Sequence, residues 1–230
     1  SAASDVYKRQ VQMFANEIGL RVLGNDQDGY YVNIYWGKQL ISDQSRSGEL
    51  EAYFDNEDYA VREMLQGWKA TQVKKENGKI ILSGQVYLKR LETDLSVNVI
   101  YEIVNKNVVS KQIELQQNNL SLLFYSLGTS IVPECSPSSY WSFDDNMNMG
   151  GTVHETYPAA GYILNDTLAI GLLTDAGNRN LWTRNIRRRP SKQGEIGFRA
   201  IREICDANLI RISNNCLLYT SPSPRDLSTS

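Results

Sequence analysis

Several things are scarce in this chain, and each scarcity excludes something. It has one histidine, His154, and three cysteines, with no Cys-x-x-Cys and no Cys/His cluster of the metal-binding kind. Zinc fingers and dithiol redox motifs are thereby excluded. Basic residues are not in excess: Lys and Arg number 24 against 26 Asp and Glu, a formal net charge of −2. A broad nucleic-acid footprint needs a basic surplus, so nucleic acid is not an expected partner. No apolar run approaches the about 18 residues of a membrane helix. A phosphate-binding glycine loop is also missing. "GNDQDG" lacks the Lys-Ser/Thr ending of a P-loop, and "MNMGGT" lacks its spacing. There is no long amphipathic helix and no internal repeat.

The two ends differ from what lies between them. "DVYKRQ" (Asp5–Gln10) back-translates as GAT GTG TAT AAG AGA CAG. The reverse complement, read one base out of frame, encodes "CLLYTS" (Cys216–Ser221). Both ends thus fit one inverted DNA repeat, which resembles the transposase end used to build sequencing libraries. The flanking "SAAS" and "PSPRD" resemble its adaptor tails. Residues 1–10 and 216–230 are therefore set aside as adaptor-derived. Residues 11–215 are expected to form one domain, an internal fragment of a longer reading frame. Once Cys216 is set aside, Cys135 and Cys205 remain, either as a disulfide or as two buried thiols.

What is abundant is strand pattern. In "KKENGKIILSG", Asn77-Gly78 sits between two extended runs, a tight-hairpin signal. In "LSVNVIYEIV", Leu95, Val97, Val99, Tyr101 and Ile103 alternate with Ser96, Asn98 and Glu102, which puts the apolar set on one face. "NKN" turns the chain at Asn105–Asn107. "VVSKQIEL" follows, with Ser110, Gln112 and Glu114 toward solvent. "LSLLFYSLGTSIV" is apolar on both faces, as in a strand buried on two sides. Residues 70–132 are predicted to form a meander of four or five strands. Further candidates are "IGLRVLG", "GYYVNIYWG", "LEAYF", "GTVHETY", "AAGYILN", "LAIGLLT", "EIGFRAIREI" and "NLIRIS". "NEDYAVREMLQGW" reads either as a helical turn or as an irregular strand. The fold class is all-β, an antiparallel sandwich with long meander strands and irregular loops.

Two stretches interrupt the strands and carry the chemistry. "PECSPSSYWSFDDNMNMGGTVHETYP" (Pro133–Pro158) gathers Tyr140, Trp141, Phe143, Asp144, Asp145, His154, Glu155 and Tyr157. Aromatic faces cover sugar C–H surfaces and carboxylates accept hydroxyl hydrogen bonds, so this loop either binds a glycan or anchors itself by its aromatics. His154 could perform acid–base work near neutral pH. On a strand, however, His154 and Glu155 point to opposite faces and do not form a direct pair. Asp144, Asn146 and Asn148 alternate as calcium ligands do, but Met149 stands where an EF-hand needs glycine. A different calcium geometry remains an alternative; no other cofactor is expected. The second stretch, "TDAGNRNLWTRNIRRRPSKQGE" (Thr174–Glu195), surrounds Trp182 with Arg179, Arg184, Arg187, Arg188 and Arg189. Arginine forks bind carboxylates bidentately. Three readings stay open for it: a site for acidic sugars, a docking surface for another domain, or a solvated charged loop.

The meander centred on "GQVYLKRLETDLSVNVIYEIVNKNVVSKQIELQQN" resembles the β-supersandwich of galactose-mutarotase-like domains. In bacterial polysaccharide-degrading enzymes such a domain often precedes an (α/α) toroid that carries the catalytic acids. The resemblance implies a secreted or periplasmic bacterial enzyme of glycoside hydrolase type, with its catalytic domain beyond Asn215 and a poly- or oligosaccharide as partner. Mutarotases use a glutamate base with histidines as acid and ligand; with only His154, this chain departs from that pattern. The substrate-binding candidates are Trp141, Asp144, Asp145, His154, Glu155, Tyr157, Trp182, Arg184 and Arg187, with no assigned catalytic residue. Two alternatives are kept. One is a stand-alone epimerase or lyase, the latter using Tyr157 or His154 with Arg184 or Arg187. The other is a non-catalytic glycan-binding protein.

Overall fold

The computed structural model describes residues 11–45, 49–56, 62–117, 122–131, 139–142, 159–166, 168–174, 186–189, 195–200 and 209–220. Among them every regular element is a strand. β1 (Gln12–Ala15), β2 (Ile18–Asn25), β3 (Gly29–Trp36) and β4 (Gln39–Ser42) pair in chain order as a four-stranded antiparallel sheet. Gly24 shows why glycine is needed at the β2–β3 hairpin. Its φ is +105°, and a Cβ there would lie 2.0 Å from the Gly29 carbonyl oxygen. Asn25 closes the same turn: its Oδ1 accepts hydrogen bonds from the backbone N–H groups of Gln27 and Asp28, both at 2.8 Å.

β5 (Leu50–Asn56) and β6 (Arg62–Trp68) pair antiparallel, so the ambiguous "NEDYAVREMLQGW" supplies a strand from Arg62 onward. β7 (Gln72–Glu76), β8 (Lys79–Leu88), β9 (Thr93–Asn105) and β10 (Val108–Gln117) form the expected meander. Asn77 and Gly78 both take positive φ, 50° and 74°, as the tight β7–β8 turn demands. At the β9–β10 turn, the backbone N–H of Asn107 donates to Asn105 Oδ1 at 2.9 Å.

The meander stops at four strands. β11 (Leu122–Ile131) leaves it and becomes the middle strand of a five-stranded sheet, ordered β15 (Ile186–Arg189), β16 (Glu195–Ala200), β11, β5, β6. The reason sequence periodicity misses this is physical: side-chain alternation reports which face of a strand is buried, not which neighbour takes its edge. The free edge of β10 goes instead to β17 (Leu209–Thr220). β17 also pairs with β14 (Leu168–Thr174), then come β13 (Ala159–Asn165) and β12 (Ser139–Ser142). The eight-stranded sheet therefore reads β12-β13-β14-β17-β10-β9-β8-β7. Residues Cys216–Thr220, set aside in the sequence reading, extend β17 opposite Val109 and Val108 on one side and Leu172–Leu168 on the other.

One apolar core serves all three sheets. Ile18, Leu20 and Val32 come from the four-stranded sheet, Phe54 from the five-stranded one, and Leu82 and Val99 from the eight-stranded one. Burial of each such side chain is worth about 1.5–3 kcal/mol. Trp68, at the end of β6, packs where Gly84 interrupts β8: a Cβ on Gly84 would approach Trp68 Cζ2 to 3.1 Å. The small residue lets the indole close the layer between two sheets. The result is an antiparallel β-sandwich, as the alternating pattern implied.

Candidate functional site

The outer face of the eight-stranded sheet is mostly polar, apart from Ile81 and Ile100 in the row of Gln112, where the inner face is apolar. Period-two alternation along β8, β9 and β10 produces this directly. On the inner face Leu82, Val99 and Ile113 stand side by side, all buried. On the outer face Ser83, Asn98 and Glu114 form one cross-strand row, and Gln85, Ser96 and Gln116 form the next. Ser83, Ser96, Asn98, Gln112 and Glu114 are half-buried, while Gln85 and Gln116 are exposed. The Gln112 Nε2 group donates to Glu114 Oε1 at 2.9 Å. Ser110, Gln112 and Glu114 thus lie on the predicted solvent side.

Chemically, this face offers amide donors, hydroxyls and a carboxylate acceptor on a rigid support, the inventory that binds a polyol. Glu102, farther along β9, pairs with Lys79 at 3.2 Å, an exposed contact worth little to stability. Register also places Arg211 of β17 opposite Glu114. Counting by twos along β17 reaches Leu217, then Gly171 of β14, Gly161 of β13 and Trp141 of β12. Trp141 therefore sits on the far edge strand of this sheet, opposite Gly161.

The sequence-predicted site residues distribute as follows. Trp141 lies on β12, the edge of the eight-stranded sheet, and Arg187 on β15, the edge of the five-stranded sheet, opposite Gly197. The two are on different sheets. Asp144, Asp145, His154, Glu155, Tyr157, Trp182 and Arg184 lie outside the described residues, as do Asn146, Asn148, Cys135 and Cys205. Among the described residues there is no group of three His, Cys, Asp or Glu side chains that could hold a metal.

Sequence reasoning missed a buried polar knot. Glu49, just before β5, is 0% exposed. Its Oε1 accepts the Val32 backbone N–H from β3, and its Oε2 accepts the Tyr101 hydroxyl from β9, both at 2.5 Å. Lys111 of β10 approaches Glu49 Oε2 at 2.9 Å and donates to the Glu49 carbonyl oxygen at 2.7 Å. The Glu49 N–H donates to Trp68 O at 2.7 Å. One residue thereby ties strands of all three sheets. Burial pushes the Lys111 ammonium below its ordinary value, with the Glu49 carboxylate and its hydrogen bond opposing that shift. Glu49 is closed to solvent and Lys111 nearly so, and the knot joins the three sheets. A signal for it existed: the alternation that sends Ser110 and Gln112 outward sends Lys111 inward, and a buried ammonium requires a partner.

Neither a protein-family model nor a curated protein sequence matches the chain. Solved structures do. A protein provisionally classed as an aldose 1-epimerase, from Escherichia coli K12, aligns with a TM-score of 0.56 at 8% identity, over 92% of this chain and 99% of that one. A heparan sulfate lyase from Pedobacter heparinus aligns with a TM-score of 0.49 at 8% identity. It matches 93% of this chain, which spans only 35% of the lyase. A galactose 1-epimerase from Lactobacillus acidophilus NCFM gives a TM-score of 0.43 at 10% identity, over 92% of this chain and 98% of that one. At such identities the likeness is one of fold, and the fold is a mutarotase-like β-sandwich.

Proposed function

We propose that the chain is the β-sandwich domain of a bacterial polysaccharide-degrading enzyme of glycoside hydrolase type, exported to the periplasm or beyond. In this reading the domain helps hold a poly- or oligosaccharide for a catalytic domain of the same protein. The observation that carries it is the outer face of the eight-stranded sheet. Asn98, Gln112 and Glu114 there supply donors and an acceptor suited to sugar hydroxyls. The mutarotase-like fold supports the carbohydrate class, and the resemblance of the meander supports the accompanying catalytic domain. Asp144, Asp145, His154, Glu155, Tyr157, Trp182, Arg184 and Arg187 remain proposed contributors, and Asp144, Asn146 and Asn148 remain proposed ligands for calcium as an alternative.

A second reading, a stand-alone epimerase or lyase, draws on the E. coli alignment covering nearly the whole of both chains. Among the described residues of the polar face, Glu114 contacts Gln112, and Glu102 is engaged by Lys79. That arrangement suits binding better than acid–base chemistry, which requires two differently poised groups.

The test has two parts. The uninterrupted gene should encode long amphipathic helices beyond Asn215; a stop codon at that point removes the accompanying-domain reading. The chain should also bind neutral oligosaccharides on a glycan panel, with affinity falling at least about fivefold in Gln112→Ala or Glu114→Gln, the scale of one or two lost hydrogen bonds. Unchanged binding in both variants removes this face as the site.

A further inference from the structure

The four-stranded sheet carries a cation, Arg21, without a counter-charge among the described residues. Along β2, Ile18, Leu20 and Val22 face the core, which places Gly19 and Arg21 on the outer face of the four-stranded sheet. Register sets Phe14 of β1 and Tyr35 of β3 on either side of Gly19. Gly19 is what opens this place: a Cβ there would lie 2.8 Å from the Phe14 ring and 3.6 Å from Tyr35 Cβ. The Arg21 guanidinium sits between the two rings, its Cζ 4.6 Å from the Tyr35 centroid and 5.7 Å from that of Phe14.

Arg21 has cation–π contacts but no hydrogen-bond or ion-pair partner among the described residues, and its Nε is buried without one. A buried guanidinium N–H with no acceptor is costly, and an arginine usually finds a carboxylate. The adjoining groups are already engaged. Asn33, opposite Arg21 on β3, accepts from the Gln44 N–H at 2.9 Å and reaches Asp43 Oδ1 at 3.4 Å. Asp43 also accepts the Ser45 N–H at 2.9 Å. Phe14 is 54% exposed, so one aromatic surface is open beside the charge.

We infer that this face is a second glycan-contact site, selective for an acidic sugar. The sugar carboxylate would pair with the Arg21 guanidinium, and its C–H face would lie on Phe14. The chemistry requires an anion that is also partly apolar, which a hexuronate unit supplies. This rests on the carbohydrate reading for its ligand class but uses none of the residues of the eight-stranded sheet.

The experiment is a calorimetric titration of the full chain with an oligogalacturonate trimer and with the matching neutral galactose trimer. The acidic trimer should bind at least tenfold tighter than the neutral one at low salt, the scale of one charge-assisted pair. That preference should shrink at high salt, because part of the site is exposed. Arg21→Gln should abolish it while lowering the unfolding temperature by no more than about 8 °C, the scale of its two lost cation–π contacts. Phe14→Ala should weaken the acidic trimer, and Glu114→Gln should weaken the neutral trimer while leaving the affinity for the acidic trimer unchanged. No preference in the unaltered chain, or an equal one in Arg21→Gln, overturns the inference. Loss of the preference in Glu114→Gln alone would assign acidic-sugar binding to the eight-stranded sheet, and this inference would fail while the carbohydrate reading stood.

Discussion

Replacing Lys111 by methionine should test the buried knot directly. Methionine fits the volume of the lysine stem but leaves the Glu49 carboxylate, 0% exposed, without its cation. Tyr101 and the Val32 N–H would still donate to it. Breaking one side of a buried ion pair costs about 3–5 kcal/mol. At about 2–4 °C per kcal/mol for a domain of this size, the unfolding temperature should fall by about 6–20 °C. Urea unfolding followed by the fluorescence of Trp68 and its fellow tryptophans measures the same quantity. The double variant Glu49→Gln/Lys111→Met should recover most of the loss. Its amide can still accept the Val32 N–H and donate to Tyr101, and no lone charge remains. The pH dependence follows from the depressed Lys111 value. Below it, folded and unfolded states both hold the proton and the burial cost is fully present. Between it and the ordinary 10.5, the unfolded chain binds more protons, so stability rises with pH. Lys111→Met should remove that rise. A loss under about 1 kcal/mol in the single variant, or a double variant no better than the single ones, would show that the knot does not hold the sheets together.

Other outcomes follow from particular residues. Gly24→Ala should destabilise by about 2–3 kcal/mol, because its Cβ would strike the Gly29 carbonyl at positive φ, whereas Gly78→Ala, at φ +74° with open space around it, should cost about 1–2 kcal/mol in the same urea assay. Deleting Ser1–Gln10 should shift the unfolding temperature by less than about 2 °C. The adaptor reading further predicts that the uninterrupted gene departs from "CLLYTS" after Asn215 and that a chain carrying the natural continuation of β17 is at least as stable; a genomic copy encoding "CLLYTS" there would end that reading. The chain by itself should show no glycosidase turnover on a glycan panel, and turnover abolished by His154→Ala or Glu155→Ala would favour the stand-alone enzyme.

Local chemistry settled much of this protein in advance. The Asn77-Gly78 turn, the alternation of Leu95 to Ile103 and the outward set Ser110, Gln112 and Glu114 follow from backbone sterics and a period of two, which act within a few residues and so can be read along the chain. The all-β class followed from the same rules. Tertiary structure alone decided which edges meet: β11 crosses to pair with β5 and β16, and β17 returns from far along the chain to take the edge of β10. Edge pairing is a long-range choice among strands with similar patterns, and no local period encodes it. The same holds for the sites. Lys111 could be read as an inward charge needing a partner, but Glu49, 62 residues away, could not be named as that partner. Arg21, Phe14 and Tyr35 look unrelated in sequence, because only the register of three adjacent strands across Gly19 turns them into one aromatic slot around a cation.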